Sequence, residues 1–172
     1  MTVDSSLQQL ALKGDQVAFE RMIEPLAGPA LRLAYSQLHD RTEAEDAVQE
    51  AVLRAWRKLS QLSDGKPIRP WFFAIVVNQC RNMRRARWFS TVRVGDLFKP
   101  SPALNPSVEK VDIERGLARL SQNDREALFM HFYLDLPIGE VAQTLGISPA
   151  AAKGRIYRAC HRLRPGLLEE DL

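Results

Sequence analysis

Between Pro137 and Ala159 the chain reads PIGEVAQTLGISPAAAKGRIYRA, and no other stretch constrains the fold as tightly. Ile138, Val141, Ala142 and Leu145 fall at i, i+3, i+4 and i+7, the apolar stripe of a short amphipathic helix. Gly146 follows at once, where a left-handed residue can end a helix without a Cβ penalty. Ile147 places an apolar side chain in the turn, Ser148 is an N-cap, and Pro149 takes the first position of a second helix. Two short helices joined by a tight glycine-containing turn make a helix-turn-helix. On the second helix Ala152, Ile156 and Leu163 are predicted to pack inward, leaving Lys153, Arg155, Tyr157, Arg158 and Arg162 outward.

The rest of the chain also has helical spacing, so the expected class is all-α. Leu7, Leu10, Phe19, Ile23 and Leu26 form a stripe with a break at Lys13-Gly14-Asp15. Gly28-Pro29 interrupts the pattern, and Pro29 is expected to open a new helix running to about Leu38. After a short turn at Asp40-Arg41-Thr42, Thr42 and Glu45 form a capping box. The helix that follows, to about Leu59, is expected to bury Val48, Val52, Ala55 and Leu59 and to leave Asp46, Gln49, Glu50 and Arg57 exposed. Residues 60–70 read as a loop with Gly65, Pro67 and Pro70. The β-branched run Ile75-Val76-Val77 admits a strand, but Trp71/Ile75, Phe72/Val76 and Asn78/Asn82 pair at i, i+4, which favours a helix. Pro100, Pro102 and Pro106 make 94–107 a linker between two domains, 5–93 and 108–168. Helical patterning resumes at Val108 with Ile113, Leu117 and Leu120, and Asn123 and Glu126 can cap a further helix carrying Leu128, Phe129 and Phe132.

Composition narrows the function classes. The chain has 172 residues, 45% apolar and 26% charged, enough to bury a core without metals or disulfides. No apolar run reaches the roughly 18 residues of a membrane span, and the first 15 residues lack signal-peptide character. Cys80 and Cys160 stand far apart, which suits a reducing cytoplasm. His39, His131 and His161 are scattered with no zinc or triad spacing, and no glycine-rich phosphate loop is present. The expectation is a protein without catalytic residues, cofactor, metal or membrane insertion.

Charge is unevenly placed. The net +3 divides into −3 over 1–65, +7 over 66–93, −3 over 94–147, +5 over 148–164 and −3 over the tail. The two positive blocks contain no acid, as expected of footprints for a polyanion, although solvated helix faces would look alike. One block coincides with the second helix of the helix-turn-helix, the helix that enters the major groove in that motif.

Three stretches together resemble the extracytoplasmic-function (ECF, group IV) sigma factors of bacterial RNA polymerase. Glu43 to Arg57 (EAEDAVQEAVLRAWR) is similar to the region-2 helix that docks on core polymerase. Pro70-Trp71 through Asn78, Asn82, Arg84 and Arg85 is similar to the segment that melts and reads the −10 promoter element. Leu120 to Leu163 resembles region 4, which reads the −35 element. The likeness covers most of residues 8–166 in the family's order.

The resemblance implies that Asp46, Gln49, Glu50 and Arg54 bind core polymerase, whose clamp helices and flap are the family's docking points. It implies −10 contacts from Lys66, Arg69, Trp71, Asn78, Arg81, Asn82, Arg84 and Arg85, with Ser63, Asp64 and Lys66 in a specificity loop. It implies −35 contacts from Ser148, Lys153, Arg155, Tyr157, Arg158 and Arg162. Capture of unpaired bases needs aromatics beside cations, and Trp71, Phe72, Phe73, Trp88 and Phe89 lie in the first basic block, at least two of them expected in the core. About 14 extended linker residues reach up to ~45 Å, against promoter elements separated by about two turns of ~35 Å. Around the recognition helix Ala150-Ala151-Ala152 and Gly154 depart from the family's usual residues. Two other readings stand beside this one: a free-standing DNA-binding regulator, and an enzyme with Glu43, Asp46 and Glu50 as a metal site. The resemblance further implies a cytoplasmic protein controlled by a separate anti-sigma partner, which can hold it near the membrane.

Overall fold

The computed structural model describes residues 5–62, 66–94 and 119–163. Among these every element is helical: α1 Ser5–Leu12, α2 Gln16–Leu38, α3 Arg41–Lys58, a 3-10 turn Leu59–Gln61, α4 Ile68–Val94, α5 Gln122–Leu128 continued by a π turn Phe129–Tyr133, α6 Ile138–Leu145 and α7 Pro149–Leu163. The chain divides into two compact units, Met1–Asp96 and Leu97–Leu172. The all-α, two-domain expectation holds. Ser63, Asp64, the stretch 95–107 of the expected linker, and Val108, Ile113 and Leu117 lie outside the described residues.

In the first unit α3 packs against both α2 and α4, and α1 lies on α2. The break between α1 and α2 falls where expected: Gly14 adopts φ +95°, and Asp15 accepts a hydrogen bond from Ala18 N at 3.0 Å as the N-cap of α2. The expected new helix at Pro29 does not occur. α2 continues through Pro25 and Pro29, although a proline inside a helix lacks the N–H for the carbonyl four residues back and costs about 3 kcal/mol. Packing overrides that local cost. Phe19, Met22, Ile23, Leu26, Ala30, Leu33, Ala34 and Leu38 form one unbroken buried stripe, whereas Pro25 is exposed.

A second correction concerns the start of α3. Asp40, not Thr42, is the N-cap, accepting from Glu43 N at 2.8 Å, and Glu45 binds Arg41 instead of closing a capping box. On α3 Ala44, Ala47, Ala51 and Ala55 are fully buried with Val48, and this small-residue ridge lets neighbouring helices approach closely. Val52, expected in the core, is half-buried. On α4 Phe72, Phe73, Val76, Val77 and Cys80 are fully buried, so the Ile75-Val76-Val77 run is helix. Each buried phenylalanine contributes about 1.5–3 kcal/mol, and truncation to alanine would cost about 3–5 kcal/mol.

In the second unit α5 and α6 both pack against α7. The N-cap of α5 is Ser121, which accepts from Asp124 N at 3.2 Å, in place of the expected Asn123 cap. Past Leu128 the chain widens into the π turn, where Leu134 N bonds to Phe129 O at 3.2 Å. His131 Nδ1 lies 2.9 Å from Leu136 O, and since a carbonyl only accepts, this ring nitrogen carries the proton and ties the turn to the approach of α6. Gly146 ends α6 at φ +66°, and Ser148 Oγ accepts from Ala151 N at 3.2 Å to start α7. Ala152 and Ile156 are buried as expected, while Leu163 is half-buried.

Candidate nucleic-acid and polymerase interfaces

The expected −10 residues separate on α4 according to its helical phase. The buried side carries Phe72, Phe73, Val76 and Cys80. Trp71, Asn78, Asn82 and Arg85 lie at i, i+7, i+11 and i+14, which places them on the opposite face, with both asparagines and Arg85 exposed and Trp71 half-buried. Arg69, Arg81 and Arg84 are half-buried; the phase of Arg81 puts it on a flank, whereas Arg69 and Arg84 fall on the side of Phe73, Val76 and Cys80. The Trp71 face therefore joins an indole, two amides and a guanidinium, suited to stacking, base-edge hydrogen bonding and phosphate neutralisation. Phe72 and Phe73 are core, not base platforms. At the entrance to α4 the exposed Lys66 is fixed through its backbone, whose carbonyl accepts from the Gln8 amide of α1 at 3.0 Å.

Arg87 also turns toward the body of the first unit. It follows Val76 and Cys80 on the core-facing side and forms an ion pair with Glu43 on α3. The Glu43 carboxylate raises the pKa of Arg87 further above its ordinary value.

On α3 the expected polymerase-binding residues share one face. Asp46, Gln49 and Glu50 are followed by Leu53 and Trp56, 51% and 36% exposed, in the same i, i+3, i+4, i+7 pattern. Arg54 Nε donates to Glu50 Oε1 at 2.7 Å, and that hydrogen bond holds the Glu50 carboxyl below the usual carboxylate range. The carboxylates expected of a metal site thus face different partners: Glu43 binds Arg87 and Glu50 binds Arg54. Among the described residues no group of three or more His, Cys, Asp or Glu side chains could hold a metal ion. Leu53 and Trp56 were not singled out from the sequence, because an apolar residue on an amphipathic helix reads by default as core; Trp56 in fact covers Phe19, ring centroids 5.1 Å apart, while keeping an open edge.

On α7 Lys153 and Tyr157 are exposed, Tyr157 by 70%, and lie one turn apart. Ser148 is exposed at the helix start, Arg155 is half-buried, and Arg158 and Arg162 are exposed but both reach Asp124 of α5. Asp124 was missed because its partners lie far along the chain, Arg158 being 34 residues on and Arg162 further still. Phe132 and Tyr133 of the π turn are 61% and 58% exposed, and the Tyr133 ring stacks on Phe129 at 4.6 Å.

Two helical units, one with a cationic, amide-bearing helix face and the other with a helix-turn-helix, define a class of DNA-engaging transcription proteins. The comparisons with known proteins narrow it. Residues 22–90 match the sigma-70 region 2 family and residues 110–163 the sigma-70 region 4 family. The ECF sigma factor SigL of Mycobacterium tuberculosis is 31% identical over 80% of this chain and 82% of its own. The sigma factor NccH of Alcaligenes xylosoxydans xylosoxydans is 28% identical over 94% of this chain and 93% of its own. The structure of CnrH in complex with the cytosolic domain of CnrY superposes with a TM-score of 0.74 at 26% identity, covering 99% of both chains. The sigma factor RpoE bound to the anti-sigma factor NepR from Bartonella quintana superposes with a TM-score of 0.75 at 25% identity, covering 87% of this chain and 96% of that one. The chain belongs to the ECF RNA polymerase sigma factors.

Proposed function

We propose that this chain is an alternative sigma factor of the group IV subclass that binds bacterial core RNA polymerase and directs promoter-specific initiation, with no catalytic chemistry of its own. The observation that carries this reading is the presence, in one chain and in family order, of both matched regions, each ending in a basic helix face. In this division of labour the face of Asp46, Gln49, Glu50 and Arg54, extended by Leu53 and Trp56, docks on the polymerase clamp helices. The region-4 unit meets the polymerase flap. Trp71, Asn78, Asn82 and Arg85 engage the −10 element, with Lys66, Arg69, Arg81 and Arg84 on its phosphates. Ser148, Lys153, Arg155, Tyr157, Arg158 and Arg162 engage the −35 duplex. The functional boundaries are 5–93, a linker over 94–107, and 108–168.

Control by an anti-sigma protein is part of the proposal, supported by the complexes of CnrH with CnrY and of RpoE with NepR. A cytoplasmic location follows from binding to polymerase, and among the described residues no helix is long and apolar enough to cross a membrane.

The test is gel filtration with purified bacterial core polymerase, followed by transcription from a genomic DNA library. Co-elution with new, specific start sites supports the reading and delivers the promoter sequence. Duplex binding without co-elution would instead make the chain a free-standing regulator. Asp46→Arg combined with Glu50→Arg is expected to abolish co-elution while leaving the fold intact; retained co-elution removes these residues from the interface.

A further inference from the structure

Two arginines on the DNA-facing helix are held from behind by a buried carboxylate. Asp124, in the first turn of α5, has a side chain only 7% exposed. Its Oδ1 accepts from Arg158 Nη2 at 3.3 Å, and its Oδ2 lies 3.8 Å from Arg162 Nη1. Arg158 and Arg162 are one turn apart on α7, so a single carboxylate spans both. A carboxylate this buried is strongly disfavoured without cationic partners, so the pairing is built into the fold. Both arginines nevertheless stay more than half exposed, at 56% and 53%. A guanidinium has five N–H donors in a planar fork, and binding Asp124 through Nη2 leaves donors available to DNA.

A second observation bears on Arg158 alone. A β-carbon at Gly154, one turn earlier on α7, would lie 3.4 Å from Arg158 Nη1. The guanidinium therefore lies down along the helix backbone, over the glycine, with its other nitrogen on Asp124. The Asp124 carboxylate thus holds it over space that the glycine leaves open.

We propose that Asp124 is a positioning residue for promoter recognition, fixing the guanidinium groups of Arg158 and Arg162 on α7 so that they meet the −35 duplex already oriented. The inference rests on the reading of α7 as the −35 helix and deepens it. A free arginine loses rotamer freedom when it binds, which weakens association; an arginine ordered in advance does not lose it a second time. Orientation also matters more than charge for sequence reading, because a bidentate contact to a guanine edge needs the fork in one plane. Among the described residues no carboxylate supports Lys153 or Tyr157 in this way, and the Tyr157 ring lies 6.4 Å from that of His161. If Asp124 acted instead by competing with phosphate for the two arginines, its removal would tighten DNA binding, so the sign of the effect separates the two ideas.

The experiment uses the full chain bound to core polymerase and two probes: the strongest promoter duplex recovered by transcription mapping, and the same duplex with its −35 element scrambled. Asp124→Asn keeps the shape of the side chain but cannot neutralise two cations. It is expected to lower affinity for the matched duplex on the order of tenfold and to reduce the ratio of matched to scrambled binding. Arg158→Ala is expected to do the same, and the double variant to fall short of the sum of the two single losses, because Asp124 acts in part through that arginine and in part through Arg162. A merely structural role would lower both probes equally and add to the arginine loss. Unchanged or tighter matched binding in Asp124→Asn, or full additivity, overturns the proposal. Should Asp124→Asn lose its fold, Asp124→Glu carries the test. It keeps the charge but moves the carboxylate by one methylene, so the matched-to-scrambled ratio is expected to fall, and an unchanged ratio overturns the proposal. A wild-type protein that joins polymerase but binds both probes equally removes the −35 reading itself, and the inference with it.

Discussion

Arg87, near the end of the basic block on α4, is ion-paired to Glu43 in the first turn of α3. The pair joins the helix read as polymerase-docking to the helix read as −10-binding, and it takes one of the seven cations of the acid-free block out of the set available to DNA. Both side chains are about one-third exposed, so solvent screens the attraction, and Glu43→Gln is expected to cost only about 0.5–1 kcal/mol in urea unfolding. Because the Arg87 pKa is raised, its contribution is fully present below the ordinary arginine value and is lost only as pH rises through the still higher folded value. Stability from this pair is therefore expected to be constant from neutral pH to mildly alkaline pH but to weaken with salt. Exchanging the charges, Glu43→Arg with Arg87→Glu, is expected to recover more stability than the two single reversals predict; strict additivity would show that the pair is not coupled.

The Glu50–Arg54 pair gives a prediction on the docking face. The Arg54 hydrogen bond lowers the Glu50 pKa, so in Arg54→Ala the Glu50 carboxyl is expected to titrate closer to its ordinary value, as followed by NMR of the side-chain carboxyl carbon. The sign for stability follows: a depressed carboxylate contributes above its unfolded pKa and loses that contribution as pH falls through the folded one. The pair is solvent-exposed, so acid is expected to loosen the Glu50–Arg54 contact without unfolding α3. A Glu50 titration that does not move in Arg54→Ala would assign the lowered value to another cation.

Local backbone chemistry was legible in the sequence, and long-range pairing was not. The α6–α7 junction follows from Gly146 and Ser148-Pro149 because a left-handed turn and a capped helix start each demand those residue types. The capping errors at Thr42 and Asn123 have one cause: Asp40 and Ser121, two residues earlier, are equally competent caps, and side-chain chemistry alone does not choose between them. Pro29 marked a break by its local cost, whereas the buried stripe on both sides of it decided the outcome. The pairings Glu43–Arg87 and Asp124–Arg158 depend on which helix faces meet, and charge counting assigned those arginines to a solvent-facing polyanion site.

Gln37 tests how well the first unit is optimised. It lies on the buried side of α2, 3% exposed, and both its Nε2 and Oε1 are buried without a hydrogen-bond partner among the described residues. A buried amide left unpaired costs about 1–3 kcal/mol, while an apolar side chain of similar volume carries no such cost. Gln37→Leu is expected to raise unfolding free energy by about 1–2 kcal/mol, seen as a higher urea midpoint at unchanged m-value. A lower midpoint would mean that the amide is satisfied in solution, by water or by a rearranged neighbour.

Gly154 offers a way to separate helix stability from the DNA recognition proposed for α7. It lies inside the helix with no positive φ, so its glycine character is not required by the backbone, and Gly154→Ala is expected to stabilise the second unit by about 0.5–1 kcal/mol. The added methyl would meet Arg158 Nη1 at 3.4 Å, an ordinary van der Waals contact that leaves the Asp124 bond in place. Thermal unfolding is therefore expected to shift upward while matched-duplex affinity changes by less than about twofold. Gly154→Leu inverts the pattern: the longer side chain occupies the space over which the guanidinium lies, so Arg158 must leave it, and −35 affinity is expected to fall although helix propensity rises. Measuring both variants by thermal melt and by duplex titration tells whether the glycine serves the helix or the arginine. If leucine binds DNA as well as glycine does, the position of Arg158 over Gly154 has no part in recognition.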